Sequence, residues 1–320
     1  MDSSETPKHD PAWERKTLEK LVFAALDEQR ARRRWGIFFK ALGFVYLLVV
    51  LVAVVDWGTG VEHQERHTAL VSLNGVIEAK GEANAENLVA ALNSAFEEKN
   101  VAGVILRINS PGGSPVQAGI VNDEIRRLRG KHADKPLYVV VEDMCASGGY
   151  YVAAAADKIY VNKASIVGSI GVLMDGFGFT GSMDKVGVER RLLTAGENKG
   201  FLDPFSPQVP QHKAHAQALL DSIHKQFIDV VKNGRGKRLK ETPEIFSGLM
   251  WTGEQSIQLG LADEYGSVDS VARDVIKAEK VLDYSVKDNI AERFAKRLGA
   301  STSAGFWRGL SESALGARLF

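Results

Sequence analysis

Cysteine occurs once, at position 145, in a chain of 320 residues. No intrachain disulfide can form, so stability has to come from a packed core rather than covalent staples. A net charge is missing too, because 40 lysines and arginines balance 40 aspartates and glutamates. No global field therefore draws the chain to nucleic acid or to acidic substrates. No histidine lies between His132 and His212. The close histidine pairs, His63 with His67 and His212 with His215, have no third ligand nearby in sequence. No metal site is expected, and both pairs are read as facing water. The Gly112-Gly113 turn carries no cofactor motif either. A phosphate loop needs lysine and then serine or threonine after its second glycine, where this chain has Ser114-Pro115. No dinucleotide-type Gly-x-Gly-x-x-Gly stands at that turn, and no internal repeat is visible.

One long apolar run is present. Trp35 to Val55 carries a single charge, Lys40, and comes after Arg30, Arg32, Arg33 and Arg34. About 20 apolar residues in helix cross a bilayer core of about 30 Å. The basic flank precedes the run, while Asp56, Glu62 and Glu65 stand beyond it. That asymmetry predicts a single-pass anchor with a cytoplasmic N-terminus and an exported bulk. A cleaved signal peptide fits less well, since 34 residues stand before the run. The expected organisation is a cytoplasmic tail over 1–34, a transmembrane anchor over 35–55, a linker over 56–67, a globular domain over 68–285 and a C-terminal tail over 286–320. That tail includes a basic amphipathic helix candidate, Asp288 to Leu298.

From Thr68 onward, apolar strand-like runs alternate with amphipathic helical stretches, the pattern of an α/β domain with a largely parallel sheet. Strands are predicted at Ala69 to Ile77, Val104 to Ile108, Leu137 to Glu142, Lys158 to Val161 and Arg190 to Thr194. Helices are predicted at Ala85 to Glu98, Pro115 to Arg129, Gly148 to Ala156 and Pro210 to Lys232. Ser114, Pro115 and Gln117 supply an N-cap, an N1 proline and a capping-box partner. Val116, Ile120, Val121, Ile125 and Leu128 mark the expected buried face of that helix. In the last helix, Leu219, Leu220, Ile223, Phe227, Ile228 and Val231 fall on one side.

Two glycine-bearing turns carry the chemistry. Leu106 to Pro115 reads as a strand entering a Gly112-Gly113 turn that opens a helix, a geometry whose free N–H groups can hold an anion. A transient oxyanion fits it better than a phosphate. Met144 to Tyr151 places Ser147 at a second strand-to-helix turn, with Gly148 behind it, as a nucleophile would be placed. Gly113 and Gly148 would then be paired oxyanion donors. Cys145 beside it reads as a small buried residue. A serine needs a base, and with no histidine close in sequence the lysines come forward: Lys158, Lys163, Lys185 and Lys199. A lysine serves only when neutral, away from carboxylates. Lys158 and Lys185 each stand directly after an aspartate. Lys163 stays open, and Lys199 lies in a glycine-flanked loop after a predicted strand.

The segments Ile108-Asn109-Ser110-Pro111-Gly112-Gly113, Ala146-Ser147-Gly148-Gly149-Tyr150-Tyr151 and Ile166-Val167-Gly168-Ser169-Ile170-Gly171-Val172 join Lys199 in Gly-x-x-Lys. Together with Trp251-Thr252-Gly253 and Gly260-Leu261-Ala262-Asp263, they resemble the bacterial S49 serine peptidases, in particular the single-span signal peptide peptidases. The resemblance covers roughly Thr68 to Ser270. It implies a ClpP/crotonase-like ββα superhelix and self-assembly into a homo-oligomer. By the same resemblance Ser147 is the nucleophile, Lys199 the general base, Gly113 and Gly148 the oxyanion donors, and Ser169 a hydroxyl that orients the lysine. The implied setting is the bacterial inner membrane with the catalytic domain outside the cytoplasm, and the implied substrates are remnant signal peptides, with no cofactor. A crotonase-type acyl-CoA enzyme and a non-catalytic membrane scaffold are the rival readings.

Overall fold

The computed structural model describes residues 11–56 and 65–286. The expected tail helix Asp288 to Leu298, His63 and most of the linker lie outside these residues. Two compact units result, divided between His63 and Gln64. The first is one helix, α1 (Pro11–Asp56), 46 residues long. At 1.5 Å per residue it extends about 70 Å. Its stretch Glu28–Leu51 is long and apolar enough to cross a membrane, and none of its apolar window is buried among the described residues. Trp35, Phe38 and Phe39 cluster with ring centroids 5.7 Å apart beside the arginines. Aromatic rings next to basic residues are enriched where a helix meets a bilayer interface.

The second unit is built on an eight-stranded sheet. Its elements are β1 (His67–Asn74), α2 (Ala85–Glu97), β2 (Val101–Ser110), α3 (Pro115–Lys131), β3 (Leu137–Ala146), α4 (Gly148–Ala153), β4 (Lys158–Val161), β5 (Ile166–Gly168), α5 (Thr180–Val186), α6 (Pro210–Arg235), β6 (Met250–Thr252), α7 (Gly253–Gln258), β7 (Glu264–Tyr265), α8 (Val268–Ser270) and β8 (Val281–Asp283). The strand order is β6-β5-β3-β2-β1-β8, with β4 on β3 and β7 on β4. Every pairing is parallel except β5 with β6. This is the α/β, ClpP/crotonase-like class expected above. Strands covered on both faces read as near-continuous apolar runs, which is why β1 to β4 stand out in the sequence. One face packs on α2, α3 and α4 through Leu73, Leu92, Phe96, Leu106, Ile125 and Val139. The other packs a smaller cluster around Ile105, Tyr160 and Ile276.

β3 forks. Tyr138 to Val140 pair with β4, whereas Met144 to Ala146 pair with β5. A register shift between Ile108 and Ser110 in the β2–β3 pairing accompanies the divergence. Bulges of this kind bend a strand and re-aim its end. The re-aimed end of β3 delivers the chain to Ser147.

Several expectations need correction. Arg190 to Thr194 pairs with no strand and is exposed. It belongs to an arm, residues 172–209, in which no residue is fully buried, so its apolar pair, Leu192 and Leu193, packs into no core among the described residues. Val116 and Ile120 are exposed, and the buried stripe of α3 is Ala118, Val121, Asn122, Ile125 and Leu128. The Ser114 capping box is half formed. Ser114 Oγ accepts from the Gln117 N–H, but the Ser114 N–H donates to the Ile77 carbonyl at 2.8 Å. Gln117 Oε1 instead accepts from the Ala85 N–H that opens α2. Leu219 is exposed rather than part of the buried side of α6. His67, read as facing water, is fully buried. Its ring nitrogens lie 2.9 Å from the Glu65 carbonyl and 2.9 Å from the Tyr284 hydroxyl, so burial leaves neither unsatisfied.

A buried ion pair fastens the far side of the unit. Arg235 is 1% exposed and grips Asp263 with two bonds of 2.8 and 2.9 Å, while its Nε donates to the Gly260 carbonyl. Asp263 also accepts the Ile159 N–H at 2.7 Å. Burial pulls the Asp263 carboxyl upward, but the Arg235 guanidinium outweighs it and leaves the group below its ordinary value. A depressed carboxylate contributes stability that is complete above its unfolded pKa and disappears as pH falls through the folded one. Asp263→Asn, which strands a buried guanidinium, should cost about 3–5 kcal/mol in urea unfolding at neutral pH. The difference from the native chain should shrink as pH falls below about 4, first because the unfolded carboxylate takes up a proton and then, at lower pH, because the folded one does.

Candidate active site

The turn from β3 into α4 puts Ser147 at φ +51°, ψ −122°, a region that L-residues seldom occupy. Such a backbone costs about 1–3 kcal/mol and persists only where its surroundings impose it. Here the Ser147 N–H donates to the Gly168 carbonyl at 2.9 Å, and the Ser147 carbonyl accepts from Tyr151 at 2.9 Å. Behind it Tyr150, fully buried, donates its hydroxyl to the Leu261 carbonyl at 2.8 Å. Burial drives that phenol's pKa upward, so it stays a neutral donor. The Ser147 side chain lines a cavity, and its hydroxyl makes no hydrogen bond to any described residue.

The Gly112-Gly113 turn lies against this serine. Gly112 has φ +102°, and a Cβ there would sit 2.6 Å from the Gly148 nitrogen and 2.6 Å from Ser147 Cβ. Only glycine lets the two turns approach this closely. Gly113 (φ +145°) is held by its neighbours: Ile77 N–H donates to the Gly112 carbonyl, and Ser114 N–H to the Ile77 carbonyl, both at 2.8 Å. The Gly113 and Gly148 N–H groups themselves donate to no backbone acceptor among the described residues. The closeness of the two turns is such that a Cβ on Gly148 would be 3.2 Å from the Gly113 nitrogen. Two free amides beside one free hydroxyl form an arrangement able to stabilise an oxyanion.

Gly113, Ser147, Gly148 and Ser169 all line one cavity of about 640 Å³. Ser169 also has a positive φ, +53°, and is fixed by its N–H to the Leu249 carbonyl. The opposite wall is apolar: Val172, Leu173 and Met174 from the start of the arm, and Leu220, Ile223 and Phe227 from α6. The apolar stripe of α6 was legible in the sequence, but its role as a cavity wall was not, because a stripe facing a cavity has the same period as one facing a core.

Lys199 is not brought to this cavity. It is exposed, in a turn of the arm whose backbone closes from the Lys199 N–H to the Gly196 carbonyl at 3.0 Å. No lysine lines the cavity. Lys158 pairs with Glu264 at 2.6 Å, Lys163 lies over the Tyr265 ring, and Lys185 is exposed. The fold does bring up one histidine, His224, but its Nε2 is 3.1 Å from the Ile170 carbonyl and it does not line the cavity. Cys145 is fully buried, and burial pushes its thiol pKa far upward, which leaves it inert.

A strained serine over two amides, in a cavity at the end of a forked parallel strand, defines a hydrolase-like site on a ClpP/crotonase-type sheet. The chain belongs to peptidase family S49, whose description matches residues 129–282. It is 31% identical over 211 residues to a putative protease of Methanocaldococcus jannaschii, covering 64% of this chain and 67% of that one. It is 30% identical over 224 residues to a putative signal peptide peptidase SppA of Enterococcus faecium, covering 68% and 64%. A protein named Na(+)/H(+) antiporter NhaA, from Brucella melitensis biotype 1, is 44% identical over 214 residues. That match takes in 65% of this chain but only 29% of the antiporter.

The strain at Ser147 is testable apart from activity. Ser147→Ala and Ser147→Gly both delete the hydroxyl, but only glycine accepts the inverted backbone without penalty. Ser147→Gly should be more stable than Ser147→Ala by about 1 kcal/mol in chemical denaturation, the strain relieved less glycine's entropy. Equal midpoints would show that the turn holds no strain.

Proposed function

We propose that this chain is a membrane-anchored serine endopeptidase whose nucleophile is Ser147 and whose general base is Lys199, supplied by a neighbouring copy of the same chain. The observation that carries the reading is the free Ser147 hydroxyl beside the unpaired Gly113 and Gly148 amides. Family membership supports peptide hydrolysis, and the arm supports assembly. Leu173, Phe177, Val186 and Leu193 on that arm are 80%, 80%, 73% and 97% exposed, an unusual concentration of bare apolar side chains. An assembled neighbour would cover them and bring an exposed lysine to a cavity that has none. A crotonase-type enzyme is disfavoured by the cavity lining, which holds no carboxylate. A non-catalytic scaffold would leave the strained serine and the free amides without a role.

In this mechanism Ser147 Oγ attacks the scissile carbonyl while the neutral Lys199 amine takes its proton. The tetrahedral oxyanion rests on the Gly113 and Gly148 N–H groups, each worth about a hundred- to a thousand-fold in rate. Lys199 then protonates the leaving amine, water releases the acyl group, and the Ser169 hydroxyl orients the lysine side chain. The apolar wall favours apolar side chains next to the scissile bond, as remnant signal peptides offer. The apolar stretch Glu28–Leu51 would tether the enzyme to the inner membrane, with the catalytic unit on the extracytoplasmic side.

Ser147→Ala and Lys199→Ala should each abolish hydrolysis of a fluorogenic peptide. Co-expressed as mixed assemblies, the two inactive chains should regain about a quarter of native activity, since random assembly sets an intact serine beside an intact lysine at that frequency. No recovery in verified mixed assemblies would place the base within the same chain, and an active Lys199→Ala would remove lysine from the mechanism. A second outcome concerns pH. Native activity should climb through the alkaline range, whereas a rise centred near about 6.5 would point to histidine.

A further inference from the structure

The loop that carries Lys199 lies within an exposed arm, yet it is braced at two points. Asn198 Oδ1, one residue before the lysine, accepts a hydrogen bond from His212 Nε2 at 3.1 Å. Phe201, two residues after it, packs its ring 5.3 Å from the His212 ring and 5.7 Å from the His215 ring. The Phe201 N–H closes the loop onto the Asn198 carbonyl at 3.1 Å. His212 and His215 stand three residues apart on α6 and so share one face of its first turns. Both flanks of the lysine are therefore clipped to the same face of one helix.

That helix also reaches the Ser147 cavity. Three turns further along, His224 Nε2 donates to the Ile170 carbonyl at 3.1 Å, next to Ser169, and Leu220, Ile223 and Phe227 line the cavity wall. A single rigid rod thus carries both the lysine loop and part of a nucleophile's surroundings, about 18 Å apart at 1.5 Å per residue. An otherwise solvated loop would present its amine over a wide range of positions, and each productive encounter would bear the cost of ordering it.

We infer that His212 is a positioning residue for the reaction: through its bond to Asn198 it fixes the loop from which Lys199 is delivered. This rests on Lys199 being the base. The bond takes the tautomer in which Nε2 carries the proton that it donates to Oδ1. The charged or titratable groups near the loop include Glu197 within it, Asp203, whose N–H donates to the Gly200 carbonyl, with its partner Arg190, and Lys213 and His215 on α6.

The test uses the full chain in detergent and a fluorogenic peptide. His212→Ala should lower kcat about ten-fold, the scale of one hydrogen bond, with KM held within about two-fold. His212→Gln, whose amide nitrogen can donate from a similar position, should recover most of that loss. Asn198→Leu should match His212→Ala, and the double variant should be no worse than either single one. Asn198→Asp keeps the acceptor but sets a carboxylate beside Lys199, so its ascending limb should move to higher pH, which a merely structural role would not cause. Native kcat in His212→Ala, additive losses in the double variant, or an unmoved limb in Asn198→Asp would overturn the inference while Lys199→Ala stays inactive. An active Lys199→Ala would instead overturn the reading beneath it.

Discussion

Ser147 keeps φ +51° because the groups on either side of it have nowhere else to go. Its N–H is committed to Gly168, its carbonyl to Tyr151, and Tyr150 is locked by a buried hydroxyl bond to Leu261. The fork in β3 makes this possible, since β5 rather than β4 takes over as the partner at Met144 to Ala146 and brings Gly168 to the serine. The rest of the site depends on that inverted residue. It lifts the hydroxyl into the cavity, leaves the Gly148 amide unpaired, and needs a glycine at 112 to make room. A site held in this way is organised before any substrate arrives, which is the condition under which fixed amides stabilise charge without reorganising.

The support of the strain is distributed. Arg235 and Asp263 join the end of α6 to β4 and to the Gly260–Asp263 loop, and that loop presents the Leu261 carbonyl to Tyr150. A buried pair such as this is weak as a source of net stability but costly to break from one side. Its value here is geometric, because it fixes the anchor against which α4 and the serine turn are set.

Much of this was legible in residues whose signal is local. β1 to β4 read as apolar runs because both faces of a parallel sheet are covered, and the Gly112-Gly113 and Ser147-Gly148 turns read as punctuation at strand ends. What escaped depends on partners remote in sequence or absent from one chain. β5 and β8 are three residues each, too short for any period. His67 is buried because Tyr284, 217 residues away, satisfies its ring. Leu220, Ile223 and Phe227 announced an apolar face without saying that it bordered a cavity. Arg190 to Thr194 reads as a short strand around Leu192 and Leu193, but no core among the described residues takes up that pair.

The exposed Leu192-Leu193 pair and the position of Lys199 have one physical origin. The arm from 172 to 209 is held together internally, by Phe179 stacked 5.3 Å from Phe205, by the Phe179 N–H on the Pro204 carbonyl and by Arg190 with Asp203. It is therefore a formed element, yet it offers a row of apolar side chains to solvent, a state that soluble monomers seldom tolerate. The second unit has the complementary deficiency: a cavity lined by Ser147, two free amides and an apolar wall, but by no lysine. One chain carries a lysine without a cavity and a cavity without a lysine. Burial of the arm against another copy would relieve both, and it would also take the amine out of water, the condition under which lysine can act as a base.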